Sequence, residues 1–162
     1  MIILYTNIRI HGLSGQEIYD FMLNPTDETY RQWWPGAHLA FHVEKRFPNH
    51  IGDLIYFDEY IGRRRLKFKG VVKEAIPGKR IVWQVKKIWT MPARVSLDFK
   101  DFDKGVEITH TLSVGFNQIG RLLDPILRLY FSAEFEKELN AHVQTEFQKL
   151  ADVLNERING KQ

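Results

Sequence analysis

The most restrictive feature of this chain is its middle stretch, Ala37 to Phe116, where short apolar runs are punctuated by turn residues and no helical period develops. Five runs are separated by Pro48-Asn49-His50, Gly62-Arg63, Pro77-Gly78 and Asp103-Lys104-Gly105. Turn signals this close together join neighbouring antiparallel strands, because a parallel pair needs a long crossover. A five- or six-stranded antiparallel meander is therefore predicted. After Gly120 the pattern becomes helical to about Ile158, which predicts one long C-terminal helix with a bend near Pro125.

Ahead of the meander, Ile2 to Ile10 is β-branched and apolar enough for a strand. Ser14 and Glu17 have capping-box spacing, so a helix is expected from Ser14 to Leu23, stopped by Asn24-Pro25. A second short helix is expected from Thr26 to Trp34, ended by Pro35-Gly36. The 162 residues suit a single domain, 1–162. The order is α+β, and only the long helix is large enough to cover the inner face of the sheet. A curved antiparallel sheet wrapped around one helix leaves a cavity between them. This element order resembles the START-like (Bet v 1-like) polyketide cyclase superfamily, which implies its helix-grip fold and a ligand cavity.

The chain has no cysteine, which excludes disulfides, thiolate zinc sites, iron–sulfur clusters and a cysteine nucleophile. Any metal must be held by His, Asp or Glu. A net charge of +3 does not call for nucleic acid. The basic run Arg63, Arg64, Arg65, Lys67 and Lys69 alternates with Leu66 and Phe68, the pattern of a solvated strand face, so no nucleic-acid partner is expected. No stretch is apolar enough for a membrane span, and the N-terminus lacks the pattern of a secretory leader; a soluble cytoplasmic protein is expected.

Strand alternation assigns inward-facing polar groups. Ile55, Phe57 and Ile61 share one face with Glu59, although the opposite face, Leu54, Tyr56, Asp58 and Tyr60, is itself amphipathic. A buried carboxylate needs a cation, a metal or a proton. Val106, Ile108, Leu112, Val114 and Phe116 face inward with His110, which is either a core histidine or a polar group in the cavity. On the long helix Phe135, Leu139, Val143, Phe147, Leu150, Val153 and Leu154 trace one arc. His142 lies at its edge and Glu146 within it, four residues apart, as an ordinary flank pair or as two groups converging on one point. A strand carboxylate and a helix His/Glu pair at one sheet–helix boundary suit zinc, manganese or non-haem iron.

Three segments, Tyr30 to His38, Tyr56 to Gly62 and His142 to Glu146, resemble the 2,4-diacetylphloroglucinol hydrolase-like branch of that superfamily. The resemblance implies a zinc ion held by His38, Glu59, His142 and Glu146, and a substrate contact at Tyr30. Alternation by itself groups His38 with Ala40 and His42, opposite Leu39, Phe41 and Val43, so its inward direction follows from the resemblance and from its place at the strand mouth.

The implied reaction is cleavage of an aryl–acyl carbon–carbon bond in an acylated aromatic or polyketide-like ketone. Zinc would polarise the carbonyl and acidify water. Glu59 or Glu146 would shuttle protons, His110 or Tyr30 would hydrogen-bond a phenolic oxygen, and Trp33, Trp83 and Phe57 would wall the cavity. The alternative is a non-catalytic START-like module that binds or carries a hydrophobic or aromatic small molecule such as a lipid, quinone or polyketide. A homo-oligomer is compatible with either.

Overall fold

The structure is a computed structural model that describes residues 1–86, 90–115, 125, 128–129 and 131–159. Seven strands form one antiparallel sheet: β1 (Ile2–His11), β2 (His38–Lys45), β3 (Leu54–Ile61), β4 (Arg64–Ile76), β5 (Arg80–Lys86), β6 (Thr90–Phe102) and β7 (Gly105–Val114). The meander β2 to β7 carries six strands, the upper of the two expected numbers. The sheet order is β1-β7-β6-β5-β4-β3-β2, so the sequence neighbours β1 and β2 occupy opposite edges. Helices α1 (Gly15–Leu23) and α2 (Asp27–Trp33) carry the chain between those edges.

Both short helices start where their caps place them. The Ser14 side chain accepts from the Glu17 amide while Glu17 reaches back to the Ser14 amide, and Thr26 and Thr29 repeat the arrangement. Turns fall at the punctuation read from the sequence. Gly62 sits at φ +58 in the two-residue turn between β3 and β4, where a side chain is disfavoured.

The long helix α3 (Ala133–Asn159) covers the inner face of the sheet. It is separated by a break from the stretch before it, where Pro125, Arg128 and Leu129 are helical as expected. Phe131 and Ser132 are not helical, and the Ser132 hydroxyl accepts the Phe135 amide at 3.3 Å, so a serine cap starts α3; the surroundings of Pro125, where a bend is expected, lie mostly outside the described residues. The expected start at Gly120 and the inward-facing Phe116 lie outside the described residues. Phe135, Leu139, Val143, Phe147 and Leu150 are buried as expected, whereas Ala151 is buried and Val153 and Leu154 are only partly covered. This is the helix-grip arrangement, with the core between sheet and α3. Among the described residues no helix is long and apolar enough to cross a membrane.

The basic run has acidic partners within the chain. Arg65 makes a two-pronged contact with Asp58, at 2.9 Å from each nitrogen, Lys67 lies 3.6 Å from the same carboxylate, and Lys69 pairs with Glu44 at 2.6 Å. The Arg65 hydrogen bond holds the Asp58 carboxyl below its usual range.

Candidate metal centre

Strand pairing brings the first two candidate ligands together, because His38 on β2 lies opposite Glu59 on β3. Glu59 faces inward with Ile55 and Ile61. His38 faces inward too, at 1% exposure, against its simple alternation. The reason is a bulge: the register shifts between His38 and Ala40, so Leu39 is an extra residue and the parity of the strand reverses across it. His38 therefore shares a side with Phe41, which is equally buried, instead of with Ala40 and His42. Deletion of Leu39 would leave the His38–Glu59 and Ala40–Asp58 pairings in regular register. Such a variant is expected to keep His38 in the site and to bind metal as the parent does, as measured by metal content; loss of metal in a folded deletion variant would refute this account of the bulge.

Helix α3 supplies the other two. His142 and Glu146 stand on adjacent turns over the His38–Glu59 pair. One ligand-type atom from each of the four residues can be chosen so that all lie within 4.8 Å of one another. His38 Nε2 is 3.4 Å from Glu146 Oε1, and His142 Nε2 is 3.8 Å from Glu59 Oε2. The second contact is electrostatic and too long for a hydrogen bond. Both ring nitrogens of His38 and the Nε2 of His142 are buried without a hydrogen-bond partner among the described residues. Unpaired buried imidazole nitrogens beside two carboxylates are costly as they stand and fit a divalent cation with mixed nitrogen and oxygen ligands.

Aromatic neighbours fix the ligands. The Tyr30 hydroxyl donates to Glu59 Oε2 at 2.6 Å, and the Tyr30 ring stacks on His38 with centroids 3.8 Å apart. Trp34 stacks on His142 at 4.7 Å. The Trp33 indole N–H donates to the Glu146 carbonyl at 2.5 Å, tying α2 to α3. Trp34 was not among the candidates from sequence; its place beside Trp33, between Tyr30 and His38, was the available signal.

Burial and then the Glu59 and Glu146 charges push the Tyr30 phenol well above its ordinary range, so it remains a donor at neutral pH. For Glu59, burial is the largest influence and opposes ionisation, but His142, the Tyr30 hydroxyl and His38 together outweigh it, and the carboxyl is held below its usual range. For His142, burial again opposes charge, and Glu59 and Glu146 outweigh it, raising the imidazole. The two shifts act in opposite pH directions. The Glu59 contribution to stability is present above its ordinary value of 4.5 and is lost as pH falls through the depressed folded value. The His142 contribution is present below its ordinary value of 6.5 and is lost as pH rises through the raised folded value. Metal-free protein is thus expected to gain most from this pair between those two values. Urea unfolding across pH checks it, and stability climbing steadily from mildly acidic to alkaline pH would count against it.

The centre opens into a cavity of about 550 Å³ between sheet and helix. Tyr30, Trp33, Phe57, Trp83 and His110 all line it. Phe57 is stacked between Phe41 and Phe68, and Trp83 meets it edge to face. His110 Nδ1 is buried without a partner, and burial, its largest influence, lowers the imidazole so that it is neutral at physiological pH. Structure thus brings eight of the nine sequence candidates to one cavity wall, and the ninth, His38, lies behind it against Tyr30 and Glu146.

No family model matches this chain, and no curated protein matches it. Solved structures do. The Aha1 dimer from Colwellia psychrerythraea aligns with TM-score 0.51 and 19% identity, over 89% of this chain and 97% of that one. The di-domain aromatase/cyclase StfQ of the steffimycin biosynthetic pathway aligns with TM-score 0.58 and 14% identity, over 98% of this chain and 52% of that one. The major latex-like protein 151 from Panax ginseng aligns with TM-score 0.55 and 11% identity, over 87% of this chain and 96% of that one. The shared fold is the helix-grip fold. At these identities the likeness carries the architecture and its cavity, and the chemistry must be argued from the residues.

Proposed function

We propose that the protein is a metal-dependent hydrolase, with zinc the fitting ion, acting on an acylated aromatic or polyketide-like ketone by carbon–carbon cleavage, as in the 2,4-diacetylphloroglucinol hydrolase-like branch. The observation that carries this reading is the cluster of His38, Glu59, His142 and Glu146 with its unpaired buried imidazole nitrogens; Glu59, His142 and Glu146 of this cluster line a cavity otherwise walled largely by apolar side chains. When bound, a divalent ion held by these four residues supplies Lewis acidity that polarises a ketone carbonyl and acidifies water.

The chain supplies the rest. Tyr30 keeps Glu59 Oε2 oriented and charged. Glu59 Oε2 is engaged by the Tyr30 hydroxyl, so Glu146 is the carboxylate better placed to exchange a proton with a ligand in the cavity, taking it at Oε1 and returning it to the ring carbon left by the acyl group. Neutral His110 offers a hydrogen bond to a phenolic oxygen. Phe57, Trp83 and Trp33 give an aromatic ring apolar walls and exclude water.

The test is acid release from a panel of acyl phenols by native, metal-stripped and zinc-reloaded protein. Activity lost on stripping and restored on reloading supports the reading; a metal-replete protein inert on every acyl phenol and acyl polyketide of the panel refutes it. Tyr30→Phe removes the donor that orients Glu59 while leaving the ring stacked on His38. It is expected to weaken zinc about 10- to 100-fold in a chelator competition titration.

The cavity favours a second reading. A non-catalytic binding or transport protein for a hydrophobic small molecule needs only that space, and retention of such a ligand by metal-free protein would favour it.

A further inference from the structure

The titratable side chains of the cavity wall gather about the candidate metal centre, and the indole Nε1 of Trp83, unpaired among the described residues, is a separate buried donor. Tyr30, Glu59, His142 and Glu146 cluster at the centre, and His110 feels the charges of Glu146 and Glu59 and so belongs to the same region. From His110 and His142 the wall continues into apolar side chains, first Leu112, two residues on in β7, and Leu139, one turn back in α3, then Val95 and Ala93 of β6 and Val85 of β5. Val95 pairs with Leu112 on one side and with Trp83 on the other, so this wall is a continuous run of apolar side chains with the indole Nε1 of Trp83 as its polar point. Arg65 and Lys67 border the cavity, but their charged ends are drawn to Asp58, on the face of β3 opposite Glu59. A space of about 550 Å³ is sized for a drug-like ligand. A single ring bearing an acetyl group would satisfy the centre and leave the space along the apolar wall unfilled.

We propose that the preferred substrate is a ketone with an extended apolar acyl chain, its carbonyl at the His38–Glu59–His142–Glu146 centre and its chain against Ala93, Val95, Leu112 and Leu139, with Ala93 setting the chain length. The position of the carbonyl rests on the hydrolase reading; the position of the chain rests on the cavity alone. Ala93 is the smallest side chain on this wall, so it leaves the depth that a longer chain fills. Transfer of each methylene into such a wall is worth about fourfold in affinity.

The experiment uses full-length protein and phloroglucinols bearing acetyl, butanoyl, hexanoyl or octanoyl groups, with binding read from quenching of tryptophan fluorescence and turnover from acid release. In wild type, Kd is expected to fall about two- to fourfold per methylene until the chain fills the space, with kcat/KM rising in step. Ala93→Phe is expected to abolish the gain for hexanoyl and octanoyl relative to acetyl. Should Ala93→Phe fail to fold, Val95→Phe blocks the same wall. Affinity that is flat or falls from acetyl to octanoyl in wild type, or a gain that persists in the folded blocking variant, would overturn the proposal. His142→Ala separates the two readings. Chain-length dependence retained there, with no turnover by any form of the protein, means that the hydrolase reading has failed while this one stands; turnover of the acetyl compound with no chain-length dependence means the reverse.

Discussion

Protein purified without a tag is expected to contain about one equivalent of a divalent metal, zinc foremost, and both His142→Ala and Glu59→Gln are expected to reduce it to background. The two substitutions probe the centre from opposite elements. His142→Ala takes away a nitrogen that is buried and unpaired without a metal, so the apo fold loses little hydrogen bonding by its removal. Glu59→Gln keeps an oxygen able to accept from Tyr30 and removes only the negative charge. A fall in metal content with unchanged far-ultraviolet circular dichroism therefore reports the site and not unfolding. Elemental analysis by mass spectrometry after zinc incubation decides it. Wild-type protein that holds no metal under those conditions would refute the metal centre and leave the cavity-binding reading in its place.

The second large effect concerns the grip of α3 on the sheet. Leu150 is fully buried on the inner arc of the helix, one turn beyond Glu146, and is absent from the cavity wall. Leu150→Ala leaves a void in close packing and is expected to destabilise the protein by about 3 kcal/mol. For a chain of this size that is a fall of roughly 6–12 °C in melting temperature. A change of under a degree in thermal unfolding would mean that α3 is held by something other than its apolar arc. Because Leu150 lies outside the cavity wall and offers no ligand atom, the variant should keep its metal content at temperatures where it remains folded.

Much of the architecture was legible locally. Ser14 and Thr26 mark helix starts because their side-chain oxygens satisfy amides that the first turn leaves free, and the structure uses both. Glu59, His110, His142 and Glu146 were placed by periodicity because in β3, β7 and α3 the regular repeat continues past them. The break ahead of α3 was not legible from periodicity, since apolar spacing continues across Phe131 and Ser132 and only the cap shows it.

His38 marks the boundary most clearly. The sequence by itself determined an antiparallel meander under one long helix, the exclusion of thiolates from any metal site, and the placing of Glu59, His142 and Glu146 at one sheet–helix boundary, because each of these depends on composition or on spacing within a single element. Only the tertiary structure decided that His38 joins them. The extra residue at Leu39 is a matter of how β2 pairs with β3, and pairing between strands leaves no trace in the alternation of one strand. The same holds for the Tyr30–Glu59 hydrogen bond and the Trp34–His142 stack, which join residues far apart in the chain through packing alone.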